Sequence, residues 1–490
     1  MIHLYINIPK FENDIRALLM AFFPGQKITV SREKTDIYMD ICFKEQTPEN
    51  IYGRSVVCEL GQDGSVSRAG ETKTVPGEMK ATRDQLKRLA YRLLCEATGT
   101  TLPWGTLTGI RPAKVATGCL EEGMSDADIR KYFKEAYKIS DRKLDLCLQV
   151  AENEKAVLEQ VDYQNTYSLY TGIPFCPTIC AYCSFSSYPL NVWKNRVDDY
   201  LEALFKEIEA MSRKFRRKKL LTFYMGGGTP TSLSASQMDR LLTKLEQCFH
   251  IDLAAEATIE AGRPDSFTPE KLKVIRAHGI ERISINPQTM NQKTLDAIGR
   301  RHTVAQVLEA FDMASAIGFK NINMDLIAGL PGEHLEDFER TLEEIKKLSP
   351  ESLTVHALAI KRAAALNTEE TYAARIGVEE TNDMISAGFE AAVSMGMRPY
   401  YMYRQKNIAG NLENVGYARP GCEGLYNMLI MEEKQSILAL GAGASTKMAV
   451  REENRIERIE NVKSVKDYIE RIDEMIGRKT GIERYVADAE

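Results

Sequence analysis

Long apolar runs are missing from this chain. None approaches the roughly 18 residues that a membrane-spanning helix needs, which argues against an integral membrane protein. The opening MIHLYINIPK has none of the basic, apolar and small-residue sections of a secretory signal. A cytoplasmic protein with no membrane partner is therefore expected. Excess positive charge is missing too. The net charge is −5, so overall charge gives no sign of a nucleic-acid partner. The one dense basic stretch, Arg213 to Leu220, reads as a solvated loop. Histidine is scarce: none lies within fifty residues of the cysteines at 176–183, so a mixed Cys/His zinc site has no nearby fourth ligand. The other cysteines, Cys42, Cys58, Cys95, Cys119, Cys147, Cys248 and Cys422, sit mostly in apolar or helical surroundings. They read as buried free thiols of a reducing compartment.

What remains is an ordinary globular composition, 44% apolar and 27% charged. The length is enough for about three domains. Against that background the loop IPFCPTICAYCSF stands out. Cys176, Cys180 and Cys183 follow the spacing C-x3-C-x2-C. Three thiolates so placed can ligate three irons of a [4Fe–4S] cluster. The fourth iron then keeps an open position where a small molecule can bind and react. A partial zinc site is the competing reading. The arrangement resembles that of radical S-adenosylmethionine (SAM) enzymes, and Tyr182, just before the third cysteine, matches their pattern. That resemblance implies an open iron chelating the amino and carboxylate groups of SAM.

The rhythm of the chain changes twice. Residues 1–160 read as an α+β domain, with strand-like alternation from His3, Lys27 and Asp36 and helical spacing from Glu12, Thr82 and Asp126. The Gly- and Pro-rich stretch Leu102 to Lys114 reads as a linker or a docking loop, and Trp104 and Arg111 favour docking. From about 167 to 356, six β-branched or aromatic runs begin at Tyr167, Leu220, Glu256, Glu281, Lys320 and Glu351. Amphipathic stretches from Val197, Ala235, Pro269, Val304 and Leu335 separate them. This alternation predicts parallel βαβ units with right-handed crossovers. The expected fold is α/β: a partial (β/α)6 TIM-like barrel over 161–365, an N-terminal α+β accessory domain over 1–160 and a C-terminal α/β cover over 366–490. The tail from Arg451 to Glu490 reads as a helical cap.

In such barrels chemistry sits at the C-terminal strand ends, and the unusual residues fall there. The cysteine loop follows the first strand, Gly226-Gly227-Gly228 the second, and Glu260, Gln288 and Asp325 the next three. Three glycines let backbone approach a ligand closely. Carboxylate and amide side chains can hydrogen-bond the hydroxyls of a ribose. Arg300, in IGRRHT, carries a fork suited to the SAM carboxylate.

The phrases IPFC, GGGTPT, NPQ, GRRH and MDLIAGLPGE together resemble the oxygen-independent coproporphyrinogen III oxidase family. LPWGTLTGIRPAK, EAGRPD, HALAIKR and YYMYRQKN extend the likeness to a branch described as coproporphyrinogen dehydrogenases, across most of the chain. The resemblance implies that Cys176, Cys180 and Cys183 bind the cluster, that Tyr170 lies near SAM, and that these four are the catalytic residues. It places Tyr170, Gly226, Gly227, Gly228, Glu260, Gln288, Arg300 and Asp325 around SAM. It implies oxidative decarboxylation of two propionates to vinyl groups, started by a 5′-deoxyadenosyl radical, with ferredoxin or flavodoxin as electron donor. Two departures stand out: Gly172 replaces a histidine of the better-known branch, and Phe185 replaces a cysteine. The first touches the reaction zone. It keeps open a ring-opening methyltransferase acting on heme, or a heme-binding chaperone. The four propionates call for cations, and Lys361, Arg362, Arg404, Lys406 and Arg419 are candidates, with Tyr400, Tyr401 and Tyr403 able to stack on pyrroles.

Overall fold

The computed structural model describes residues 1–109, 111–185, 187–359, 364, 366, 377–404, 409–450 and 455–486. Lys361, Arg362 and Lys406 lie outside them. The chain forms two compact units, Met1–Ala151 with Met402–Glu413, and Glu152–Tyr401 with Asn414–Glu490. The segment Met402–Glu413, which the sequence division groups with the C-terminal region, thus counts with the N-terminal unit.

The N-terminal unit is built on a five-stranded sheet. Its strands are β1 (Ile2–Ile6), β2 (Ile28–Val30), β3 (Ile37–Lys44), β4 (Ser55–Gln62) and β5 (Ser65–Lys73), in spatial order β2-β1-β3-β4-β5. The first three match the sequence reading. The β4–β5 hairpin does not appear in it, because β5 is almost wholly exposed and polar and gives no apolar alternation. Helices Glu12–Phe22 and Met79–Thr98 close the core, where Leu4, Ile15, Leu18, Met39, Ile41, Leu86 and Leu93 are essentially inaccessible. Leu102 to Lys114 is no free linker. Trp104 is fully buried, and its indole N–H donates to Glu413 Oε2 at 2.7 Å. Lys143 pairs with the same carboxylate.

Among the described residues the second unit carries an eleven-stranded sheet, apart from Met402–Arg404 and Glu413, which count with the N-terminal unit. Its strands, in chain order, are β6 (Thr166–Ile173), β9 (Lys219–Gly227), β10 (Glu256–Gly262), β11 (Arg282–Gln288), β12 (Asn321–Ala328), β13 (Ser352–Ala357), β14 (Arg398–Arg404), β15 (Glu413–Ala418), β16 (Ser436–Leu440), β17 (Ser445–Val450) and β18 (Arg455–Glu460). The two-residue strands β7 (Phe175–Cys176) and β8 (Tyr188–Pro189) pair separately beside the cysteine loop. From β6 to β13 the main sheet runs in sequence order and every pairing is parallel. These are the six predicted strands, with the five predicted helices between them. Helix Val197–Phe215 shows why such crossovers form: Tyr200, Leu201, Leu204, Ile208, Met211 and Phe215 share one buried face at helical spacing.

The flanks hold what the pattern did not show. β15 pairs antiparallel with β13. On the far side β16 adds to β6 as a further parallel strand, with β17 and β18 beyond it. The expected helical cap from Arg451 begins outside the described residues, and its first described stretch, Arg455–Glu460, is a strand paired with β17. Ile456 and Ile459 stand three apart, which imitates a helical stripe on an exposed strand. Helices follow only at Val465–Glu470 and Ile472–Arg478.

Candidate active site

The strand ends of the second unit bring the expected residues together. Register places Gly172 beside Gly226 and Ile173 beside Gly227. The cysteine loop leaves β6 there, and its backbone is tied to the glycine strand: the N–H of Gly228 donates to Ile173 O and that of Thr229 to Phe175 O, each at 2.7 Å. The glycines are needed sterically. A Cβ at Gly226 would lie 2.7 Å from the Glu260 carboxyl, and one at Gly228 would lie 2.6 Å from Phe175 O. Gly227 has φ +107°, a conformation that other residues rarely adopt.

Cys176, Cys180 and Cys183 are all unpaired and partly exposed. Each sulfur has a side-chain neighbour at hydrogen-bond range. Thr229 Oγ1 donates to Cys176 at 3.5 Å, Arg263 Nη1 to Cys180 at 3.8 Å, and Ser187 Oγ lies 3.9 Å from Cys183 Sγ. Burial pushes the Cys176 thiol up to about 11 and raises that of Cys183. Binding iron would remove those protons, since the thiolate is the ligand.

Around this loop lie polar groups with unmet demands. Gln288 sits at φ +70°, and its Oε1 is buried without a partner among the described residues. Asn286 Oδ1 and Arg300 Nε share that condition. Arg300 is only 3% exposed, yet it makes no salt bridge with a described carboxylate. Its Nη1 donates to Tyr182 Oη at 2.8 Å and its Nη2 to Asn286 O at 2.7 Å. Buried groups left this way call for a polar ligand. Three free thiols, a glycine cradle and an uncompensated guanidinium fit a [4Fe–4S] cluster with SAM.

Glu260 accepts a hydrogen bond from Tyr224 Oη at 2.5 Å. Burial raises its carboxyl to about 7, despite that bond. Asp325 behaves oppositely. Burial works to raise it, but His356, Asn323 and Thr354 outweigh burial and hold it below its ordinary value. Asn323 Nδ2 donates to its Oδ1 at 2.7 Å, and His356 Nε2 lies 3.9 Å from its Oδ2. Tyr170 stacks with Tyr224 and Tyr426, at centroid distances of 6.3 and 6.4 Å, while Tyr224 and Tyr426 stand 4.5 Å apart.

Sequence reasoning missed several of these groups. Thr229 and Arg263 stand inside phrases it singled out, GGGTPT and EAGRPD, so their position was visible even though their target was not. Tyr426 had no such signal. The substrate candidates fare differently. Arg404 belongs to the N-terminal unit and is 4% exposed; its Nη1 and Nη2 donate to the carbonyls of Leu107, at 2.6 Å, and Gly109, while its Nε is buried with no partner among the described residues. Its guanidinium also lies over the Trp104 ring. With both terminal nitrogens bound to backbone carbonyls, the guanidinium holds the Leu107–Gly109 segment, and only Nε is left without a described partner. Tyr400 and Tyr401 are buried against each other rather than open for stacking, and Arg419 donates to Met395 O and to Ser349. Tyr403 is half-buried. Gly172 has ordinary contact room at its missing Cβ, 3.4 Å from the Tyr170 ring, and Phe185 is 69% exposed.

Comparison with known proteins agrees with this geometry. Residues 170–345 match the radical SAM superfamily. The oxygen-independent coproporphyrinogen-III oxidase-like protein HemZ of Bacillus subtilis (strain 168) is 39% identical over 459 residues, which covers 86% of this chain and 92% of the relative. The heme chaperone HemW of Lactococcus lactis subsp. lactis (strain IL1403) is 32% identical over 288 residues, covering 58% and 71% respectively. Among solved structures, the coproporphyrinogen III oxidase HemN from Escherichia coli, described as a radical SAM enzyme, superposes with a TM-score of 0.53 at 24% identity, over 66% of this chain and 73% of that one. This last likeness speaks for the fold. The chain belongs to the HemZ/HemN-like family of radical SAM proteins, whose superfamily works with a [4Fe–4S] cluster and SAM.

Proposed function

We propose that the protein catalyses oxygen-independent oxidative decarboxylation of coproporphyrinogen III, converting two propionates to vinyl groups. The observation that carries this reading is the match along nearly all of HemZ, an oxidase-like protein. Each propionate gives up one hydrogen atom, CO2 and one electron. When bound, the cluster and SAM supply the one-electron cleavage and hydrogen abstraction.

The chain's own residues bind and orient. Cys176, Cys180 and Cys183 hold the cluster. Gly226, Gly227 and Gly228 present bare backbone to the methionyl part of SAM. Arg300, which has no salt-bridge partner among the described residues, takes the SAM carboxylate, and Gln288 turns its Oε1 to the same ligand. Asp325 stays ionised and accepts from hydroxyls. Glu260, its carboxyl raised by burial to about 7, either accepts or donates. Tyr170 lies against this group. Lys361 and Arg362 remain the proposed propionate contacts, and Tyr403 a proposed stacking partner for a pyrrole. A low-potential donor such as ferredoxin or flavodoxin supplies electrons, in keeping with a reducing cytoplasm. No described helix is long and apolar enough to cross a membrane.

The match to HemW favours a second reading, a heme-binding chaperone. One anaerobic assay separates the two. Reconstituted protein with SAM and a reductant is offered coproporphyrinogen III or heme. CO2 and vinyl products support decarboxylation. Stable heme binding without turnover of coproporphyrinogen would replace it with the chaperone, and a ring-opened product with a methyltransferase.

A further inference from the structure

Each of the three cysteine sulfurs meets a different side-chain donor, and the three donors come from three places in the chain. Thr229, at the end of the glycine motif, is 2% exposed, and its hydroxyl lies 3.5 Å from Cys176 Sγ. Arg263, just after β10, is 4% exposed, and its Nη1 lies 3.8 Å from Cys180 Sγ. Ser187 faces Cys183 across 3.9 Å.

These donors are held in place. Arg263 is gripped by Asp265 through a two-bond pair, Nε to Oδ1 at 2.9 Å and Nη2 to Oδ2 at 2.6 Å. Its Nη1 also reaches the carbonyl and hydroxyl of Thr178, at 3.0 and 2.7 Å, so its two hydrogens are shared among three acceptors, of which Cys180 Sγ is the most distant. The Arg263 fork therefore has one orientation, with Nη1 aimed at the loop. Thr229 is fixed by its backbone bond to Phe175 O. A thiolate bound to iron has no proton to give, so whichever way the Cys183–Ser187 contact runs in the free thiol, Ser187 must donate once the cysteine ligates.

We propose that Thr229, Arg263 and Ser187 are positioning residues that set the reduction potential of the cluster by donating hydrogen bonds to its three thiolates. The proposal rests on those cysteines being the ligands. One-electron reduction adds one negative charge to the cluster and its thiolates. Donors aimed at the sulfurs stabilise that charge and raise the potential, since hydrogen bonds to sulfur and local charge are among its main determinants. Arg263 brings a positive charge as well, offset by Asp265. Thr229 is the cleaner probe, because Thr229→Val keeps its shape and removes only the hydroxyl.

The test is a dithionite titration of anaerobically reconstituted protein, followed by the electron paramagnetic resonance of the reduced cluster. Thr229→Val and Arg263→Leu should move the midpoint to more negative potential at unchanged iron content, and Thr229→Ser should restore the wild-type value. An unchanged midpoint in both variants at full iron content overturns the proposal. If a variant fails to hold its cluster, wild-type protein still decides. Resonance Raman bands of the iron–cysteine stretches should shift between H2O and D2O, and bands indifferent to the isotope overturn the idea. Cys180→Ala separates this failure from one in the ligand assignment: normal iron and an unaltered cluster signal there would mean that the cysteines are not the ligands.

Discussion

Arg300 offers the sharpest test of the SAM site. It is buried at 3% exposure and has a phenol and a carbonyl as its described hydrogen-bond partners, with the Asp265 carboxylate acting on it only from beyond salt-bridge distance. Such a charge is costly unless a ligand answers it. If the SAM carboxylate does so, Arg300→Ala removes a charge-assisted pair in a desolvated place, at a cost of about 2–4 kcal/mol. At about 1.4 kcal/mol per tenfold, SAM affinity should fall roughly 30- to 700-fold. Equilibrium dialysis of labelled SAM against cluster-loaded protein reads this directly. A control is required because Arg300 also bonds Tyr182, beside Cys183. Tyr182→Phe removes that bond but keeps the charge, so it should leave SAM affinity within a few-fold, roughly what one lost hydrogen bond can cost. Two results would refute the reasoning: SAM affinity unchanged in Arg300→Ala, or an equal loss in Tyr182→Phe. The first moves the carboxylate partner elsewhere, and the second reduces Arg300 to a brace for the loop.

Cys180→Ala should lose the cluster absorbance and SAM cleavage, whereas Cys119→Ala, buried in the N-terminal unit, should keep both; iron analysis checks each. Glu260 should give a pH signature. Its carboxyl is raised from 4.5 to about 7 in the folded protein, so the folded state holds the proton more tightly than the unfolded one. Stability from this group is full below about pH 4.5 and declines as pH rises through about 7. Glu260→Gln should flatten that decline in thermal melts, and an unaltered slope would show that the carboxyl is already ionised. Arg404→Ala should act first on stability, by on the order of 2–4 kcal/mol, because the Leu107 and Gly109 carbonyls lose a charged donor. A loss confined to tetrapyrrole affinity, with an unchanged melting temperature, would instead restore its role as a propionate contact.

Much of this was legible before any coordinates, and the reason is periodicity. A parallel strand buried on both faces must be written as a short continuous apolar or β-branched run, and its crossover helix must carry a 3.6-residue stripe. Five such pairs and a sixth strand in sequence order leave little freedom, since consecutive βαβ units place their strands side by side. The strand-end rule then gathers the cysteine loop, Glu260, Gln288 and Asp325. What could not be read is whatever depends on pairing across long separations. β16 is a five-residue run whose neighbour, β6, lies far back in the chain, so sequence-order reasoning never sets them together. Glu207 looks like one more charge on an amphipathic helix. In the fold it is fully buried and accepts from Lys479, Tyr468, Asn461 and the backbone of Gly441. The β4–β5 hairpin is a different kind of miss. Its signal was present in Asp63-Gly64, both at positive φ between Gln62 and Ser65, which is the two-residue turn that a hairpin prefers. Arg404 shows the converse hazard: charge and neighbouring tyrosines suggested a ligand, while the fold used the guanidinium to satisfy backbone carbonyls. A cation's chemistry is visible in sequence. Whether its hydrogen bonds are already taken depends on segments some three hundred residues away, here Leu107 and Gly109, and that separates a propionate partner from a structural one.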